Sequence, residues 1–158
     1  MNAGNDTLIC FADTIQLLAV DSGGTAPFTF SWSPNTDISD ANVANPMVWP
    51  NSTTTYQVTL TDANNCQATD DVTVQVNPEL TVDAGNDELI CFGEDAFLNA
   101  TVTGGAPQYI YSWTPTTGLS NPGAPSLIAN PTTTTTYHLL VTDSVGCTAT
   151  DSVTITVN

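Results

Sequence analysis

Four cysteines, sixteen carboxylates and one histidine are the residues of this chain with obvious chemical potential; it contains no lysine or arginine. Nucleophilic catalysis by Ser or Thr would need a histidine base, but His138 is alone and no triad can be assembled around it. Paired carboxylates could cleave glycosidic bonds, but here they stand singly among turn residues, so no enzyme is expected and no catalytic residue is assigned. Asp and Asn clusters are also the hard oxygen donors that calcium takes. The candidates are Asp6 and Asp87 in the two Ala-Gly-Asn-Asp stretches, Asp62 and Asp143 in two acidic turns, and Asp70 and Asp151 just after them. The spacing is not that of an EF-hand, and Asp and Asn also shape turns by accepting hydrogen bonds from nearby amides.

All of these residues belong to a unit written twice. Cys10 matches Cys91 and Cys66 matches Cys147 at one offset, 91 − 10 = 147 − 66 = 81, which also carries Trp32 onto Trp113, Pro50 onto Pro131 and Tyr56 onto Tyr137 without a gap. Such self-similarity marks a repeat architecture. The boundary is expected at Asn77-Pro78, giving repeats at 1–77 and 78–158, because proline removes a ladder donor and ends a strand.

Within each repeat the apolar period is two. Tyr56, Val58 and Leu60 alternate with polar neighbours, as do Val72, Val74 and Val76, and their counterparts Tyr137, Leu139, Val141 and Val153, Ile155, Val157 do the same. Ile15, Leu17 and Ala19 predict an earlier strand, and Phe28, Phe30 and Trp32 another. Asp62-Ala63-Asn64-Asn65 and Asp143-Ser144-Val145-Gly146 predict hairpin turns. The expectation is all-β: two tandem immunoglobulin-like antiparallel β-sandwiches, each with a tryptophan buried on its third strand.

Two cysteines in each small repeat suggest a disulfide in each, Cys10 to Cys66 and Cys91 to Cys147, with free buried thiols as the alternative. Closing such a loop would stabilise a small core by roughly 4 kcal/mol. The parity of Cys66 with Val72 points it inward. A simple sandwich separates the first turn from the last hairpin, so the bridge requires the first segment to cross toward that hairpin. Zinc does not fit, since the spacing is not Cys-x-x-Cys and His138 is replaced by Gln57 in the other repeat.

The formal charge of −16 with 41% apolar residues describes a chain with enough apolar surface for a core and none of the cations that bind phosphate. Nucleic acid and anionic lipid are therefore not expected partners. No apolar run approaches the roughly 20 residues of a membrane span. Met1 leads into Asn-Ala-Gly-Asn without a basic or apolar leader, so the expectation is either a cytosolic protein or a piece of a longer secreted chain, and the repeat, whose second copy alone has the lead-in Leu80-Thr81-Val82-Asp83, favours the piece. Trp49 is the candidate for ligand contact, because its counterpart is Asn130 and a core position would not change so freely. Packing on the adjoining repeat is the simpler role. The threonine runs are read as β-propensity on exposed strands rather than an ice-binding array, and Asn5-Asp6-Thr7 and Asn51-Ser52-Thr53 as sequons.

The early Cys, the Trp-[Ser/Thr]-Pro at 32–34 and 113–115, and the run Thr-Thr-Tyr followed by Asp, Cys and Thr-Asp resemble the PKD-like, immunoglobulin-like repeats of large secreted surface proteins of Bacteroidota, including gliding-motility adhesins exported by the type IX system. The resemblance covers nearly the whole chain. Phe30-Ser31-Trp32-Ser33-Pro34 and Tyr111-Ser112-Trp113-Thr114-Pro115 stand where true PKD domains carry a Trp-Asp-Phe-Gly-Asp-Gly motif. The resemblance implies an extracellular, cell-surface spacer or stalk within an adhesin, whose partners are neighbouring repeats. It further implies O-glycosylation at Asp-[Ser/Thr]-apolar sites: Thr7, Thr14, Ser144 and Ser152. The alternatives are a module binding polysaccharide or cell-surface glycan, with or without calcium as cofactor, and an accessory module of a secreted hydrolase.

Overall fold

A computed structural model describes all residues, 1–158. The chain divides into two compact units, Met1–Pro78 and Glu79–Asn158, and no helix is formed.

In the first unit the strands are β1 (Thr7–Ile9), β2 (Ile15–Gln16), β3 (Thr29–Ser33), β4 (Met47–Val48), β5 (Thr54–Thr61) and β6 (Gln67–Val76). One sheet has the order β1-β6-β5-β3 and β2 pairs with β4 in a second. The core lies between them, where Leu17, Ala19 and Val48 meet Trp32, Tyr56, Val58, Val72 and Val74. The period-two sequence pattern places these side chains there, because alternate residues of a strand share a face.

The second unit repeats the plan with β7 (Thr81–Asp83), β8 (Glu88–Ile90), β9 (Ala96–Asn99), β10 (Thr101–Thr103), β11 (Ile110–Thr114), β12 (Ser126–Ala129), β13 (Thr135–Thr142) and β14 (Thr148–Val157). Its large sheet runs β11-β13-β14-β8, and registers coincide across repeats: Trp32 faces Val58 as Trp113 faces Leu139. The units differ in the small sheet. Pro46 has no N–H to give and the β2–β4 ladder is two residues long, whereas Leu127 at the matching place pairs with Leu98 in a four-residue ladder.

In each repeat the strand that leads into the first cysteine, β1 or β8, runs parallel to the last strand, β6 or β14. Ile9 sits opposite Val76 and Ile90 opposite Val157. Cys10 and Cys91 therefore lie beside the C-terminal ends of β6 and β14, while Cys66 and Cys147 precede the N-terminal ends of those strands. Ten residues of strand span about 33 Å, and a disulfide requires Cα atoms within about 7 Å. The expected bridges within each repeat are not formed: Cys10 and Cys147 are disulfide-bonded, and Cys66 and Cys91 are free. The first segment does not cross toward the last hairpin. Cys66 is exposed rather than inward; it stands in the turn before β6 begins, where strand parity does not fix the direction of a side chain, and its counterpart Cys147 in the turn before β14 is buried.

The buried aromatic side chains are satisfied. The indole N–H groups of Trp32 and Trp113 donate to Val43 O at 2.9 Å and Ala124 O at 3.1 Å, and the Tyr137 hydroxyl donates to Thr117 O at 2.9 Å. Phe28 falls just before β3 instead of inside it.

Candidate functional site

The six candidate calcium ligands are occupied in pairs by backbone amides. Asp62 Oδ1 accepts from Asn64 N (2.8 Å) and Cys66 N (2.9 Å), and its Oδ2 accepts from Thr25 N (3.1 Å). Asp143 does the same with Val145 N (3.0 Å), Cys147 N (2.9 Å) and Ala106 N (2.9 Å). Each aspartate thus closes its hairpin and ties it to the loop before β3 or β11. The amides of Cys66 and then Thr25 hold the Asp62 carboxyl below the usual carboxylate range.

The other four fasten the first segment of each repeat to its last strand. Asp70 Oδ2 accepts from Ala3 N at 2.8 Å and Asp151 Oδ2 from Ala84 N at 2.7 Å. In the reverse direction, Asp6 Oδ1 accepts from Thr73 N and Asp87 Oδ1 from Thr154 N, both at 2.8 Å. No three His, Cys, Asp or Glu side chains converge on one point.

Trp49 lies just beyond β4 and is 40% exposed, and its backbone N–H donates to Asp37 O at 3.0 Å. Met47, two residues earlier, shares its outward face. Leu17 N donates to Pro46 O and Ala19 N to Ala44 O, which turns Leu18 and Val20 outward on the adjoining segment. An apolar face of Leu18, Val20, Met47 and Trp49 results, and three of these four were not legible as surface residues in the sequence. In the second repeat Asn99, Thr101 and Asn130 replace all but Met47, whose counterpart is Ile128. Asn130 is turned to local use, its Nδ2 donating to Glu94 O at 3.0 Å and Asp95 Oδ1 at 2.7 Å.

His138 is an exposed residue of β13 opposite Ser152 and Thr114. Of the candidate glycosylation sites, Thr14, Ser144 and Ser152 are exposed and Thr7 is half-buried in β1.

No protein-family model matches the sequence, and no curated protein matches it. Solved structures do. A C-terminal 282-residue fragment of intimin, determined in complex with the intimin-binding domain of the translocated intimin receptor, aligns with 92% of this chain at 15% identity and a TM-score of 0.55. The insect immune protein hemolin aligns with 99% at 12% identity and a TM-score of 0.51. The chain spans 57% and 46% of those two chains. The two-domain DIP-gamma fragment aligns over 100% of this chain and 96% of its own, at 14% identity and a TM-score of 0.47. The likeness is one of architecture, and the chain is a tandem of two immunoglobulin-like β-sandwiches.

Proposed function

We propose that this chain is a non-catalytic extracellular repeat module that spaces an adhesive domain from a cell surface. The observation that carries this reading is the gapless repeat itself: two copies with the same registers, each enclosing its own core. A unit that buries its own apolar faces can be added in series, lengthening an array without altering its neighbours' folds. Strands of eight to ten residues make each unit about 25–30 Å long. The six turn and strand aspartates support the same reading, since their oxygens hold the loops of their own repeat. The dense negative charge would keep adjacent arrays apart.

A second reading, a glycan-binding module, draws on one feature, the exposed indole of Trp49, whose counterpart in the second repeat is Asn130. An exposed indole is a platform on which the apolar face of a sugar ring can stack. One experiment separates the two: titration of the chain with surface polysaccharides, in calcium and again in EGTA. The spacer reading expects no binding in either condition. Binding lost in Trp49→Ala would overturn it in favour of the glycan module. Binding lost only in EGTA would reassign the aspartates to calcium.

A further inference from the structure

The cysteines are of two kinds, Cys10 and Cys91 directly after β1 and β8, and Cys66 and Cys147 in the last hairpin of each repeat. One of each kind, Cys10 and Cys147, is disulfide-bonded; one of each kind, Cys91 and Cys66, is a free, exposed thiol. The backbone setting is the same in both states. Cys66 N and Cys147 N each donate to the hairpin aspartate at 2.9 Å. Cys10 O and Cys91 O accept from Asp13 N at 3.1 Å and Glu94 N at 3.0 Å. The free thiols thus occupy settings in which their counterparts are bonded.

Two further features lie beside them. A groove of about 250 Å³ adjoins Cys66, lined by Leu60, Asp62, Gln67, Ala68 and Gly24 among others. Phe92, which follows Cys91, is 71% exposed, whereas Phe11, which follows the bonded Cys10, is 37% exposed. A large apolar ring left in water next to a thiol is surface that association would bury.

We propose that Cys91 of one copy of this chain forms a disulfide with Cys66 of another, with Phe92 seated in the groove beside Cys66. The contact is heterologous, because each copy presents one cysteine of each kind, so addition continues head to tail. The oxidant is a small-molecule disulfide such as oxidised glutathione. The Cys91 thiolate attacks it and releases one glutathione thiolate. The Cys66 thiolate then attacks the Cys91 sulfur of the mixed disulfide and releases the second. Two protein thiols are oxidised, two electrons reduce the glutathione disulfide, and the two thiol protons pass to the glutathione thiolates. The link goes beyond the spacer reading and holds whether or not a glycan binds.

The test mixes equal amounts of Cys66→Ser and Cys91→Ser chains, one lengthened by a tag so that all three dimers differ in mass, in a glutathione redox buffer. The expected result on non-reducing gels and by intact mass is a heterodimer exceeding each homodimer by about tenfold or more, the discrimination that a specific docking contact supplies. The unsubstituted chain forms a ladder, and the doubly substituted chain stays monomeric. Random proportions of one to two to one, dominant homodimers, or no dimer would overturn the proposal. Phe92→Ala is expected to slow heterodimer formation without changing the reaction of Cys91 with a small thiol reagent; an unchanged rate would remove Phe92 from the contact.

Discussion

Ala84 donates its buried backbone N–H to Asp151 Oδ2 at 2.7 Å, joining residues 67 apart in the sequence, and Ala3 does the same to Asp70 at 2.8 Å across the same separation. Asp151→Ala leaves a buried amide without a partner and is expected to cost about 1–3 kcal/mol. Asp151→Asn, which keeps a carbonyl oxygen, is expected to cost less. Urea unfolding of the two variants measures the difference, and equal losses would mean that charge, not the acceptor, matters.

Backbone handedness gives a second prediction. Ala12 adopts φ of 64° where the second repeat has Gly93 at 88°. A side chain in this region costs about 1–2 kcal/mol, partly offset by the greater freedom of unfolded glycine, so Ala12→Gly is expected to stabilise by roughly 0.5–1 kcal/mol. Gly104 is the opposite case: at φ of 72°, an added Cβ would fall on the Glu79 carbonyl. Gly104→Ala is expected to lower the thermal midpoint sharply.

Salt should stabilise this protein. With a formal charge of −16 and no lysine or arginine, side-chain electrostatics at neutral pH is dominated by repulsion. Raising NaCl from about 10 mM to about 1 M shortens the screening length from about 30 Å to about 3 Å. The thermal midpoint is expected to rise across that range; a fall would show that attractive pairs dominate.

The pH dependence has two limbs. Asp62 lies below its usual value of 3.8, chiefly through the Cys66 amide, so its contribution is present above that pH and lost as pH falls through the folded value. Burial raises the Tyr56 phenol, with help from the Asp37 charge, and burial raises that of Tyr137. Their contribution is present below their usual 10.0 and lost as pH rises through the folded values. Denaturant midpoints in about 1 M NaCl, where repulsion is screened, are expected to fall at both ends. Asp62→Ala should weaken the acid limb and leave the alkaline one in place.

Among the three tryptophans only Trp49 is exposed. Trp49→Phe is expected to remove the acrylamide-quenchable, red-shifted part of the fluorescence and to change stability by less than about 0.5 kcal/mol. A larger loss would show that the indole packs against something.

The long strands were legible in the sequence because alternation is a physical consequence of the pleat: Tyr56, Val58 and Leu60 turn inward for the same reason they recur every second residue. The surface position of Trp49 was foreshadowed by Asn130, a residue that a core would not accept in its place. The cysteine pairing was not legible. Parity argues only inside a strand, and Cys66 precedes β6. The aspartates were visible as acids, but the amides that Asp70 and Asp151 satisfy come from the far end of each repeat, a relation created by the parallel pairing of β1 with β6 and of β8 with β14.

That parallel pairing has a mechanical consequence. A pull on the N-terminal side of β1 and on the C-terminal side of β6 drags the two strands past each other along their length. The contacts of Thr7, Leu8 and Ile9 with Val74, Gln75 and Val76 are then loaded in shear, all at once, instead of being unzipped in turn. The Ala3–Asp70 and Asp6–Thr73 hydrogen bonds share the load. Under tension the first repeat is clamped between β1 and β6.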